Sequence, residues 1–230
     1  MRRILFKISG EAFSGDIWAI DMSSAKKVWE FIEYFYREWY EIAIVVWWWN
    51  IYRGSKLIAA WMRPSDSHSM SMLSTVFNAV TLKNILQELK ISCVVLDALQ
   101  VEFLEAYTSE KWKTYLSNRH IVICSSWTWN PFFTTDTAWV LRALELECDG
   151  VIKLTKVDGV YNKDPLIHSD AIHYPEISYD DFIAQNLQIF DTTWIILARD
   201  NHLPVFVSKL DDRQASSDIL EGRVAGTKIF

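Results

Sequence analysis

The sequence predicts an α/β protein built from parallel β-α-β units. Three observations carry that prediction. Short, continuously apolar runs alternate with amphipathic helical patterns along the whole chain. The runs are apolar on both faces, the pattern of strands that helices cover on both sides of a sheet. No internal repeat, low-complexity tract or Pro/Gly-rich linker interrupts the alternation, so the 230 residues read as one domain, 1–230, with a lobe division near residue 125.

The first strand is expected over 4–8, and it ends in Lys7-Ile8-Ser9-Gly10. A helix follows over 23–40, capped by Ser and carrying Val28, Phe31, Ile32 and Phe35 at helical spacing. The second strand, 42–46, comes directly after it. Further helical patterns lie at 70–89, 101–116 and 137–147, and strand-like runs at 93–96, 120–124, 151–154 and 204–207.

Composition excludes several functions. A net charge of −6 and a pI near 5.4, with no basic run, argue against a nucleic-acid-binding surface. The apolar run after Met1-Arg2-Arg3 stops at Lys7, too short for a signal peptide or a membrane span. Cys93, Cys124 and Cys148 are odd in number and lack metal-site spacing, so buried thiols in a reducing, cytoplasmic setting are expected. One number is abnormal: 12 Trp stand against 7 Gly, although Gly averages about 7% of residues.

In open parallel sheets ligands bind beyond the carboxyl ends of the strands, so the segments that follow each strand carry the functional reading. Lys7-Ile8-Ser9-Gly10 places an ammonium beside a flexible backbone, suited to a triphosphate; a simply solvated lysine would look the same. The run from Thr128 to Asp136 opens a helix, where unpaired N–H groups and hydroxyls make an anion site, or only an ordinary cap. The run from Lys153 to Pro165 holds an Asp-Gly turn, lysines, an aromatic and acids, as a nucleotide site or a surface hairpin would.

Taken in order, Lys7-Ile8-Ser9-Gly10-Glu11-Ala12, Asn130-Pro131-Phe132-Phe133-Thr134-Thr135-Asp136, Thr155-Lys156-Val157-Asp158-Gly159-Val160-Tyr161 with Asp164-Pro165, and Leu197-Ala198-Arg199-Asp200 with Leu203-Pro204 resemble the bacterial uridylate kinases of the amino-acid-kinase superfamily over nearly the whole chain. The resemblance implies a three-layer αβα sandwich with a central, mainly parallel sheet, usually assembled as a homohexamer. It implies phosphoryl transfer from ATP to UMP with Mg2+, a UMP-binding side at about 1–125 and an ATP-binding side at about 126–230.

Position by position, the resemblance puts Lys7, Ile8, Ser9, Gly10, Trp49 and Arg53 at the ATP phosphates, and Thr155, Tyr161 and Asp164 around the adenosine. It puts Trp48, His68, Thr128, Trp129, Asn130, Pro131, Phe132, Phe133, Thr134 and Thr135 at UMP. Lys7 is expected to meet transition-state charge, with Arg53 near the phosphates and Asp136 orienting lysine or metal. No metal ligand is assigned to the protein.

The pattern breaks at glycines. Trp47-Trp48-Trp49-Asn50 stands where the family has three glycines and Asn, and Trp127 and Trp129 stand in a loop that reads Gly-Thr-Gly-Asn in the family. Trp39 and Trp61 follow suit, Ser71 replaces another Gly, and His68 replaces an Asp at the ribose. Three explanations compete: a non-catalytic paralogue acting as a structural or regulatory subunit, a redesigned chain with a blocked phosphate pocket, and a gene whose UGA codons mean glycine but are written as Trp. The bias toward Trp favours the third. Within enzymes, a relative acting on carbamate, glutamate or aspartate is the alternative substrate class.

Overall fold

The computed structural model describes residues 2–14, 21–47, 50–51, 61–187, 193–210, 212–223 and 225–230. The elements are β1 (Arg3–Ile8), a 3-10 turn (Gly10–Phe13), α1 (Met22–Arg37), β2 (Glu41–Val46), α2 (Pro64–Glu88), β3 (Cys93–Asp97), β4 (Glu105–Ala106), α3 (Ser109–Ser117) and β5 (Ile121–Ser125). They continue with α4 (Thr135–Glu145), β6 (Gly150–Thr155), β7 (Val160–Tyr161), β8 (His173–Tyr174), β9 (Glu176–Ile177), α5 (Tyr179–Ala184), α6 (Thr193–Asp200), β10 (Val205–Lys209), α7 (Arg213–Leu220) and β11 (Thr227–Ile229).

Nine strands form one sheet in the order β4-β3-β5-β2-β1-β6-β10-β11-β9, and every pairing is parallel except β10 with β11. Side chains alternate across it and divide the core in two. Ile4, Phe6, Ile8, Ile44 and Val46 face one way, under α1, α2 and α7. Leu5, Ala43, Val45, Val122 and Val151 face the other, under α3, α4, α5 and α6. The result is the expected three-layer sandwich. On α1, Val28, Phe31, Ile32 and Phe35 are all buried against the first face, each such side chain contributing about 1.5–3 kcal/mol.

Several boundaries differ from the sequence reading, each for a local reason. The cap of α1 is Asp21, whose carboxylate accepts from Ser24 N at 2.8 Å, and not a serine. The helix stops at Arg37 because Trp39 turns left-handed (φ 67). Tyr40 N then reaches Phe35 O, and Trp39 N reaches Tyr36 O, the Schellman pattern. The α2 helix starts six residues early, at Pro64, a residue suited to the first helical position. Its serines survive there because Ser69, Ser71 and Ser74 return their hydroxyls to carbonyls four residues back.

The helix expected over 101–116 is confined to α3. The Asp97 carboxylate captures the N–H groups of Leu99 and Val101, at 3.1 Å each, and steers that stretch into a turn and the short β4. In the C-terminal third, β7, β8, β9, β11, α5, α6 and α7 are additions that the apolar pattern did not mark. The three cysteines are thiols, with burial pushing Cys93 up to about 11 and Cys124 up to about 12. Among the described residues, no helix is long and apolar enough to cross a membrane.

Trp39 is largely exposed, and a bulky residue in the left-handed region costs about 1–2 kcal/mol. Its ring stacks on the Arg119 guanidinium at 3.6 Å, which returns about 0.5–1 kcal/mol. Trp39→Gly is therefore expected to leave the melting temperature unchanged or raise it by about 2–4 °C in a thermal unfolding scan. A drop of several degrees would show that the stacking outweighs the strain.

Candidate functional site

The parallel strands all deliver their carboxyl ends to one edge, and the polar residues singled out in the sequence collect there. Lys7 sits on β1, near the middle of the sheet, 1% exposed, on the same face as Leu5. Its ammonium contacts the Asp136 carboxylate in the first turn of α4. The Trp47 ring centroid is 4.4 Å from the same ammonium and that of Trp139 is 5.7 Å away. Burying a charge without a partner costs several kcal/mol, so the contact with Asp136 is what makes Lys7 tolerable there. Thr134 caps α4, its hydroxyl accepting from Asp136 N at 3.0 Å and Thr137 N at 3.4 Å, which fixes Asp136 in turn.

Beside Lys7 in the ladder lies Lys153 on β6, also buried, so two lysines are register partners on neighbouring central strands. Next to them opens a cleft of about 1010 Å³, lined among others by Ser9, Trp47, Lys153, Thr155, Tyr161 and Asp164. That volume suits a nucleoside triphosphate. Ile8 buries its side chain in the core, so only its backbone can serve this edge, and Gly10 begins the 3-10 turn. Thr155 tightens its own turn, donating to Val157 O at 2.7 Å and accepting from Val157 N at 2.9 Å. Tyr161 donates to Asp158 at 2.6 Å, a bond that, with some desolvation, pushes its phenol up to about 12. Asp164 accepts from Leu166 N at 2.9 Å. Gly159 admits no larger residue, because a Cβ there would stand 2.2 Å from His173 Nε2.

The segment 126–134 joins β5 to α4. Ser126, Trp127, Trp129 and Phe132 all have positive φ, between 48 and 72°. Such angles suit glycine and are outliers for aromatic residues. Left-handed geometry alone does not identify a glycine position, since Lys90, Arg119 and Glu147 adopt it after helix ends. Four in seven consecutive residues is a different matter. Trp127 is buried with Met72 and Ala138, and Trp129 packs against them. Asn130 turns back on Thr128, its side chain donating to Thr128 O at 3.0 Å. Pro131 and Phe133 frame the exposed tip beside Phe132, and Thr135 is buried.

His68 reaches this segment from α2. Its Nδ1 accepts from Phe132 N at 2.6 Å, and the two rings lie 5.2 Å apart, edge to face. Desolvation lowers its pKa below the ordinary value, favouring the neutral ring that such an acceptor requires. Arg53, Trp48 and Trp49 lie outside the described residues.

Four residues that the sequence reading did not assign, together with Lys153, which it named only within a run, support the same edge. Lys153 and Asp97 are charged residues inside or closing apolar strands, a signal that was available. Asn78, fully buried on α2, donates to Trp47 O at 2.5 Å and exchanges bonds of 2.8 and 2.9 Å with Asn50. Thr75 accepts Ser126 N at 2.8 Å, and the buried Arg142 donates to Trp127 O at 2.6 Å. These three lie mid-helix, where nothing in the spacing separates a tether from a core polar residue.

The family model described as the amino acid kinase family matches residues 2–208. The uridylate kinase of Roseobacter denitrificans is 37% identical over 230 residues, covering 99% of this chain and 95% of its own. That of Rickettsia felis is 38% identical with the same coverage. The crystal structure of UMP kinase from Bacillus anthracis superposes with a TM-score of 0.95 at 28% identity, covering 99% of this chain and 95% of that one. The UMP kinase of Ureaplasma parvum gives 0.91 at 30%, covering 99% and 98%.

The His68 geometry predicts a pH dependence. An unfolded histidine takes its proton near about 6.5, before the folded one does, so the stability of His68 is full above that pH and is lost as pH falls below it. Denaturant melts of the parent and His68→Ala between pH 5 and 8 are expected to show a parent advantage at pH 8 that shrinks by pH 5. A constant difference would mean that folding leaves the proton affinity of His68 unchanged.

Proposed function

Since the chain belongs to the amino acid kinase family, and within it to the uridylate kinases, we propose that it transfers the terminal phosphoryl group of ATP to UMP, giving ADP and UDP for pyrimidine nucleotide synthesis. The observation that carries the reading is Lys7: a buried ammonium on the central strand, held by Asp136, whose ladder neighbour Lys153 lines a cleft of nucleotide size.

In this reading ATP lies along the cleft on the 126–230 side, its adenosine near Thr155, Tyr161 and Asp164 and its phosphates toward Ser9, Gly10 and Lys7. UMP lies across the edge, against His68 and the segment from Thr128 to Thr135. Phosphoryl transfer asks little covalent work of protein groups, so positioning and charge stabilisation supply the rate. Lys7 and Lys153 meet the charge that builds on the transferred group, Asp136 fixes Lys7, and the 126–134 backbone orients the acceptor. Arg53 is assigned to the phosphates by resemblance alone.

Among the described residues, no cluster of three or more His, Cys, Asp or Glu could cage a metal. Magnesium commonly arrives on nucleotide phosphates with few protein ligands, and Asp136 is the carboxylate that would orient it. The ion supplies charge neutralisation on the phosphates. The protein is further expected to work in the cytoplasm as a homohexamer.

A second reading rests on Trp47, whose ring stands against the Lys7 ammonium where a phosphate has to approach. As written, the chain then keeps the fold and the cleft but loses the phosphate's approach to Lys7, as a non-catalytic paralogue or a redesigned chain would. The left-handed backbone at Trp127 and Trp129 supports the other explanation, glycine at these sites in the working protein.

An ADP-release assay with ATP, magnesium and UMP tests the blockage and the kinase reading together. The parent is expected to show no UMP-dependent turnover, and measurable turnover would refute the blockage. Glycine at 47, 48, 49, 127 and 129 together is expected to restore it, with Lys7→Met in that background removing on the order of 10²–10³-fold. A glycine variant that folds and stays inert toward UMP would sink the kinase reading. UGG codons at those five positions would end the codon explanation.

A further inference from the structure

Asp97 closes β3 at the same sheet edge, yet belongs to none of the motifs above. Its carboxylate is fully buried and has four donors. One oxygen takes Leu99 N and Val101 N, both at 3.1 Å, and holds its own loop. The other takes the hydroxyls of Ser125 at 2.7 Å and Ser126 at 2.5 Å. Ser125 is its direct partner across the β3–β5 ladder, and both serines are buried. Ser126 is the first of the left-handed residues, at φ 59.

A carboxylate out of water is expensive, and four donors are what make it tolerable. For simple stability an apolar pair would serve at least as well, so the arrangement has to be judged by what it fixes. It fixes the departure of the chain from β5. Ser126 is gripped at its hydroxyl by Asp97 and at its N–H by Thr75, and the next carbonyl, that of Trp127, by Arg142. With those three tethers in place the left-handed turn cannot relax into ordinary backbone without breaking charge-assisted bonds.

We infer that Asp97 is a positioning residue for the 126–134 segment: through the Ser126 hydroxyl it holds the left-handed turn that presents this segment to the acceptor nucleotide. It touches no substrate and acts only through the loop. The link to the nucleotide rests on the uridylate kinase reading; the link to the loop does not.

Hydrogen exchange on the intact chain, followed by mass spectrometry, tests the tether. Asp97→Asn and Ser126→Ala are each expected to speed exchange at the amides of 127–133 by about tenfold, the scale of one lost charge-assisted bond. Exchange in β1, β2 and β6 stays at the parent rate. The double variant is expected to match Asp97→Asn within about twofold, because the Ser126 hydroxyl acts through that same carboxylate. Unchanged exchange in 127–133, acceleration spread evenly over the sheet, or effects that multiply would each overturn the tether. Should Asp97→Asn fail to fold, Ser126→Ala still removes the same bond and leaves the carboxylate with three donors.

Calorimetric titration with UMP supplies the second arm. A parent that binds UMP while both variants bind about tenfold more weakly supports the presenting role; equal affinity overturns it. A parent that binds no UMP counts against the uridylate reading for the chain as written, and exchange alone then decides the tether.

Discussion

The contact between Lys7 and Asp136 joins the middle of the sheet to the helical layer above it, and much of the edge takes its position from that contact. An ammonium 1% exposed on a central strand has to be met by charge, and the first turn of α4 is where that charge comes from. Fixing α4 fixes the end of the 126–134 segment, while Asp97, Thr75 and Arg142 fix its start. The loop between β5 and α4 therefore has little freedom. Preorganisation of this kind is how a site supplies catalysis when the chemistry itself needs no protein nucleophile.

The same rigidity explains why the tryptophans matter. A loop free to move could swing an indole aside; this one is gripped at both ends, and Trp127 is packed into a small cluster with Met72 and Ala138. Trp47 is similarly held, its carbonyl by Asn78 and its ring against Lys7. At Trp127 and Trp129, backbone geometry suited to glycine and side chains that glycine lacks are thus in direct conflict.

The architecture was legible because strands buried on both faces have no polar alternation to hide them, and because helix α1 repeats its apolar residues at 28, 31, 32 and 35. The boundaries were less legible, since they depend on single side chains. Asp21 rather than a serine caps α1, and Asp97 dissolves the first two turns of an expected helix by taking the N–H groups of Val101, its first residue, and of Leu99 just before it. Lys7, Ser9, Thr155, Tyr161, Asp164, Asp136 and the 128–135 run all stand at the carboxyl edge where strand-end reasoning put them. What escaped was the support behind them: Asn78, Thr75 and Arg142 are polar residues within helices, and only the third dimension reveals that each aims at a loop.

The two margins of the sheet are strands of two residues each, β4 on one side and β9 on the other. A neighbouring backbone arriving at either margin finds almost no row of open N–H and C=O groups to continue. Strand addition, the usual hazard of a wide sheet, therefore finds little template at either margin.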